Sequence, residues 1–87
     1  MLVPENEIAD AIRTLMRLRI GASVNFFDLL EMGQLENINY FVKSKNSEGT
    51  CLWYIDDISL EEALAHFLRI RRERKLGFDY EGIEPNK

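Results

Sequence analysis

ASVNFFDLLEMG, residues 22–33, is the stretch on which the fold turns, because it can be read with either secondary-structure period. Read as a helix, it carries a start signal. Asn25 is a good cap, and Asp28 follows three residues on, where exposed backbone donors and the positive end of the dipole favour an acid. Val24 and Leu29 flank that cap as a hydrophobic staple. Phe26, Phe27, Leu29, Leu30 and Met32 then spread apolar surface around most of the circumference, so such a helix is wedged into the core or covered by another chain. The competing reading makes 23–27 a strand. The cap favours the helix, and a short second helix over 22–33 is the expectation.

Upstream, Pro4 suits a first helical turn, where its missing donor costs nothing, and Glu5, Glu7 and Asp10 follow where the dipole favours acids. The period predicts a first helix over 5–20. Ile8, Ala11, Ile12, Leu15, Met16 and Leu18 share its apolar face, with Asp10, Arg13, Thr14 and Arg17 opposite. Arg19 falls within the apolar face at the last turn, where its stem can lie along the core while the guanidinium reaches water. Gly21 supplies the left-handed residue that ends many helices.

Downstream of Leu35 the period shortens to two. Ile38, Tyr40 and Val42 alternate with Asn39, Phe41 and Lys43, the turn-rich 46–49 follows, and an aromatic and β-branched run resumes over 50–56. A four-residue loop pairs Val42 with Trp53 and Phe41 with Tyr54. Ile38, Tyr40, Val42, Cys51, Trp53 and Ile55 then face the core. The other face holds Asn39, Phe41, Lys43, Leu52, Tyr54 and Asp56, which is unusually apolar for a solvent side. Phe41, Leu52 and Tyr54 form a candidate contact patch there, unless the second helix or the tail covers them.

The strongest local signal lies in 59–76. Ser59 and Glu62 have the spacing of a capping box, and Leu60, Ala63, Leu64, Phe67, Leu68 and Ile70 share one face behind it. Burying the five large side chains contributes on the order of 1.5 to 3 kcal/mol each, against the entropy of ordering them. After Ile70 the stripe stops. Arg71, Arg74 and Lys75 take its angular positions, which predicts a helix that runs past the edge of the core until Gly77. In the tail, Phe78 and Tyr80 alternate with Asp79 and Glu81, as in a short edge strand or an acidic segment folded back over the bases, and the chain beyond about 84 is expected to be loose.

The sum is an α+β domain of order ααββα: two N-terminal helices, a β-hairpin and a long third helix, with a short C-terminal edge strand as an option. A lone hairpin is marginal in water, so the tail or a second copy of the chain is needed to complete the sheet. A helix-turn-helix over 8–33 with the hairpin as a wing is disfavoured, because its recognition helix bears Asp28 and Glu31 and no base.

Eighty-seven residues make one domain with a thin stability margin, and a hydrophobic fraction of 46% argues against disorder. The one cysteine, Cys51, excludes an internal disulfide. No apolar run approaches signal-peptide length or the roughly 20 residues of a membrane span. A reducing, cytoplasmic setting without a membrane partner is the expectation. The formal net charge of −4 weighs against whole-surface binding to nucleic acid. One His and one Cys, fifteen positions apart, do not make a metal site. Cys51 alternates in phase with Trp53 and Ile55 as a core residue, and His66 lies a turn from Glu62 on the polar face, so they are not expected to form a nucleophile and base. Asp56 and Asp57 point to opposite sides of a strand, and the glycines are isolated. Neither a catalytic set nor a cofactor site is expected, and the chain reads as a non-enzyme.

The remaining candidate is the basic cluster Arg69, Arg71, Arg72, Arg74 and Lys75, mostly arginine, whose planar fork suits bidentate contacts with carboxylate or phosphate. It reads in three ways: as a solvated end favoured by the helix dipole, as a phosphate contact for nucleic acid, or as rim charges around an apolar patch that meets an acidic protein surface. The acidic balance and the spare aromatics rank protein above nucleic acid. The expected function is therefore a non-catalytic adaptor or inhibitor that binds through Phe41, Leu52, Tyr54 and the basic cluster. Arg71 and Arg74 are the most informative of the bases, since they interrupt an otherwise apolar stripe.

Overall fold

The computed structural model describes residues 4–76. Its elements are α1 (Glu5–Leu18), β1 (Ser23–Phe26), β2 (Leu30–Gln34), β3 (Tyr40–Lys45), β4 (Cys51–Ile58) and α2 (Leu60–Glu73). The four strands make one antiparallel sheet in the order β1-β2-β3-β4. The α+β class stands. The order of elements does not, because two helices, not three, are present among the described residues and four strands lie between them.

The expected second helix is a hairpin. Val24 pairs with Met32 and Phe26 with Leu30 across a turn in which Phe27 and Asp28 have φ of 54° and 59°. The signal that suggested a helix cap closes this turn: the Asp28 N–H donates to Asn25 Oδ1 at 3.0 Å, and Asn25 Nδ2 donates to the Asp28 carboxylate at 2.9 Å. A cap and an Asx turn use the same side chain on a nearby backbone donor, so the local pattern does not separate them. Tertiary context does. As a strand, β2 pairs on both sides, with β1 and with β3, and sends Leu30 and Met32 into the core. Four strands also cure the marginality of a lone hairpin without a second chain.

Between β3 and β4 the register is Val42 with Ile55, Lys43 with Tyr54 and Ser44 with Trp53. This differs from the expected pairing by two residues, and an even displacement leaves each side chain on its face. Irregularities flank that run at both ends, between Tyr40 and Val42 and between Ser44 and Lys45. At the first, Asp57 has a φ of 60°. At the second, Leu52 is the extra residue, and the lost phase places Cys51 on the surface rather than in the core. Ile38, also expected inside, sits in the β2–β3 loop with a φ of 67° and 71% exposure.

One apolar core joins Ile8, Ala9, Ile12 and Met16 of α1, Leu30, Met32, Tyr40 and Val42 of the sheet, and Ala63, Leu64, Phe67, Leu68 and Ile70 of α2. The Ser59 capping box is present, with the Glu62 N–H donating to Ser59 Oγ at 3.2 Å. Helix α2 lies across β2 and β3, and α1 packs on α2. Ion pairs set the two helices antiparallel. Arg13 grips Glu61 with two bonds of 2.9 Å near one end, and Arg72 Nε meets Glu5 Oε2 at 2.9 Å near the other. Ala11 and Leu18, expected on the buried face of α1, are exposed, because that helix meets the core through a narrower stripe.

Helix α2 stops before Gly77, which lies outside the described residues along with the whole tail. Lys75 takes the left-handed conformation at φ 55°, its N–H donates to Arg72 O, and the Leu76 N–H donates to Arg71 O. Those two bonds are a Schellman cap. A non-glycine residue accepts the conformation because the turn delivers Leu76 into the core, where it is 1% exposed.

Candidate functional site

The basic helix end does not overhang the core. Arg71 is 8% exposed, with Nη1 3.9 Å from Glu5 Oε2, the same oxygen that Arg72 contacts. Arg74 crosses to the sheet, where Nη1 donates to Leu29 O, Ser44 Oγ and Lys45 O, each at 2.9 Å. These oxygens belong to the β1–β2 turn and to the end of β3, so the guanidinium ties α2 to two strand ends and satisfies buried Ser44. Arg69 pairs with Glu73 at 3.1 Å, stacks 5.5 Å from the centre of the Trp53 ring, and donates to His66 Nδ1 at 3.2 Å. Because arginine can only donate, that imidazole nitrogen accepts. Of the five, Lys75 is the one whose side chain is exposed and unpaired among the described residues.

The hairpin patch lies on the opposite side of the sheet. Alternation along β3 points Phe41, Lys43 and Lys45 away from the helices, and their neighbours there are Glu31 and Gly33 of β2 and Leu52, Tyr54 and Asp56 of β4. Leu52 is 55% and Tyr54 46% exposed. Phe41 is half-buried, and its ring leans over Gly33, where an added Cβ would lie 2.9 Å from Phe41 Cε1 and 2.9 Å from Ser23 Cβ. The Phe41 and Tyr54 rings are 6.2 Å apart, Lys43 Nζ lies 5.8 Å from the Tyr54 ring centre, and the Tyr54 hydroxyl donates to Asp56 at 3.1 Å. Partial burial, followed by that hydrogen bond, raises the phenol above its ordinary pKa. Both helices occupy the other face, so no described residue covers this one.

The patch and the basic cluster, expected to form one site, are thus held in separate layers. His66 rests against Trp53 with ring centres 5.1 Å apart, and the exposed Cys51 turns its Sγ to the Trp53 carbonyl at 3.6 Å. Among the described residues no group of three or more His, Cys, Asp or Glu is placed to hold a metal ion, and no helix is long and apolar enough to cross a membrane.

The sequence reading missed two kinds of position. Phe27 and Ile38 are bulky, exposed and left-handed, and Leu18 and Ile20 are exposed beside Arg17 and Arg19. Nothing in their spacing marks them: Leu18 lies in α1 off its narrow buried stripe, and Ile20, Phe27 and Ile38 lie just outside an element whose pattern they extend. Asp57 accepts from Asn39 Nδ2 at 2.8 Å and Asn37 Nδ2 at 2.9 Å, and these bonds, Asn39 first, hold its carboxyl below the usual range. Comparison with protein-family models, with curated proteins and with solved structures finds no match to this chain.

Proposed function

We propose that the protein is a non-catalytic interaction module, an adaptor or inhibitor, that docks on another protein through the open face of its sheet. Leu52 and Tyr54 form the centre of that surface and Phe41 its flank. One observation carries this reading: Leu52 and Tyr54, beside the half-buried Phe41, leave apolar surface exposed on a sheet face that no described residue covers, although the described residues include two helices to cover apolar surface with. An aromatic centre inside a polar rim is also where interfaces concentrate their energy, and Lys43, Lys45, Glu31 and Asp56 supply such a rim. The helix-end arginines serve the fold in this reading. It differs from nucleic-acid binding on that point, because Arg71 and Arg74 are held at buried or part-buried positions and are costly to release to phosphate, which leaves Arg69, Arg72 and Lys75 as the exposed bases.

The test is affinity capture on the tagged chain with mass spectrometry, repeated with Leu52→Ala, Tyr54→Ala and the double variant. The expected result is loss of the captured protein by the double variant, with an unchanged circular dichroism spectrum. A double variant that keeps every partner removes the reading.

A further inference from the structure

The geometry points to a membrane contact at the end of the molecule where α1 hands over to β1: this end seats on the surface of an anionic phospholipid bilayer. It lies apart from the open face of the sheet and goes beyond the reading of that face.

Leu18, Ile20 and Ile38 are the three most exposed large apolar side chains among the described residues, at 77%, 95% and 71%. The fold brings them to one end. Strand β1 begins there and β2 ends there, and the Gln34 amide ties the two loops, accepting from the Gly21 N–H at 2.8 Å and donating to Ile38 O at 3.2 Å. Both ends of the described chain, Pro4 and Leu76, lie at the other end of the helices, where Arg72 meets Glu5. Ile38 is held out by its neighbours. A β-branched residue rarely accepts a φ of 67°, and this one does so in water. The conformation persists because Asn37 and Asn39, on either side, both donate to Asp57 Oδ1, at 2.9 and 2.8 Å. Strain that the surroundings hold in place at an exposed tip is a pointer to function.

Charge names the partner. Of the seven arginines, Arg13, Arg69, Arg71, Arg72 and Arg74 meet carboxylates or carbonyls of the fold. Arg17 and Arg19 are exposed and make no hydrogen bond or ion pair among the described residues. They alternate with Leu18 and Ile20, so each aliphatic tip has a guanidinium next to it in the chain. At their foot opens a groove of about 350 Å³ lined by Leu15, Arg19, Ile20, Gly21, Ala22 and Ser23. A cation, a hydroxyl and aliphatic groups in one groove match a phospholipid at the level where phosphate meets acyl chain, since arginine stems lie along apolar surface and their forks hold phosphate. A protein partner needs a pocket for each projecting tip, whereas a bilayer receives them without prior shape. The acids of this end do not belong to the β1 corner: Glu36 is in the β2–β3 loop, Asp57 is at the β4 margin, and Glu61 of α2 is already held by Arg13. The molecule therefore tilts onto the corner that carries both arginines. The net charge of −4 opposes the approach, so the contact is weak, half-bound at about 0.1–1 mM lipid.

The test is co-sedimentation of the full chain with phosphatidylcholine vesicles, with and without about 30% phosphatidylserine, at up to about 5 mM lipid. Wild type should bind the mixed vesicles at least about threefold more tightly than the neutral ones, and Arg17→Gln with Arg19→Gln should abolish that preference. Ile20→Glu should weaken binding at least about tenfold, and Glu36→Lys should tighten it. Ile38→Asn separates function from fold, because asparagine accepts the left-handed conformation: it should raise the urea midpoint while weakening binding about fivefold. A wild-type chain that stays in the supernatant at the highest lipid concentration overturns the inference, as does binding that survives Ile20→Glu and Ile38→Asn together. Loss of a captured protein by those variants, without vesicle binding by wild type, makes this end a protein contact and overturns it as well. The open-face reading is judged separately, by the Leu52 and Tyr54 variants.

Discussion

The end of α2 and the open face of the sheet both place chemistry where a simple pattern does not ask for it, and they resolve in opposite ways. Arg71 and Arg74 interrupt an apolar stripe, yet each has a destination inside the protein: the Glu5 carboxylate, or three oxygens at the strand ends. Leu52 and Tyr54 sit on a solvent side and have no such destination among the described residues. A misplaced charge is therefore weaker grounds for a binding site than a misplaced apolar group. A charge can be satisfied by one distant residue, whereas an apolar surface needs a whole layer to cover it.

The sharpest way to break this contrast is Arg74→Ala, which takes the guanidinium donor from the buried Ser44 hydroxyl and the Lys45 carbonyl and leaves the Leu29 carbonyl with the Lys45 N–H alone. It should cost about 3 kcal/mol in urea unfolding, and a loss below about 1 kcal/mol would return the helix end to the list of binding surfaces. Glu5→Ala should cost less, about 1–2 kcal/mol, because the carboxylate it removes is partly exposed while Arg71 opposite is buried. Ser59→Ala, which opens the capping box, should cost about 1 kcal/mol. On the sheet face, Leu52→Ser and Tyr54→Ser should change stability by no more than about 0.5 kcal/mol each, since surface substitutions remove little folded-state packing.

Acidification should touch neither side of the comparison first. Asp57 and Glu61 are both held below their ordinary values, Asp57 by the Asn39 and Asn37 amides and Glu61 chiefly by hydrogen bonding to Arg13. A depressed folded-state value means the stabilisation is complete above the unfolded-state pKa and fades as pH falls through the folded one. Stability should thus decline below about pH 4.5, and Asn39→Ala with Glu61→Gln should flatten that decline, as urea titrations at successive pH values will read.

What was legible in the sequence was whatever is decided locally. The Ser59 and Glu62 box, the α2 stripe and the alternation of Tyr40, Phe41, Val42 and Lys43 all depend on neighbours within a few residues, and each appears where the spacing puts it. Residues 22–33 were misread because Asn25 and Asp28 look the same in a cap and in a turn, and the strand that decides between them, β3, begins only at Tyr40. The burial of Arg71 could not be read because Glu5 lies in another helix. Cys51 was placed inside because alternation has no means of anticipating the bulge at Leu52. The candidate patch was legible in its members, Phe41, Leu52 and Tyr54, but not in its isolation from the arginines, which is a matter of layers.

The irregular ends of β4 bear on how this protein survives with an apolar face in water. An outermost strand with a long straight register is a template on which another backbone can add, and repetition of that step makes fibrils. Here only Trp53, Tyr54 and Ile55 keep continuous register, with a displaced residue on one side and a left-handed aspartate on the other. On the far margin β1 is four residues long. Neither margin offers enough ladder to seed growth, so encounters between copies are left to side chains, which can release one another. The expected outcome is that contact through Leu52 and Tyr54 stays reversible on concentration, which light scattering before and after dilution will read.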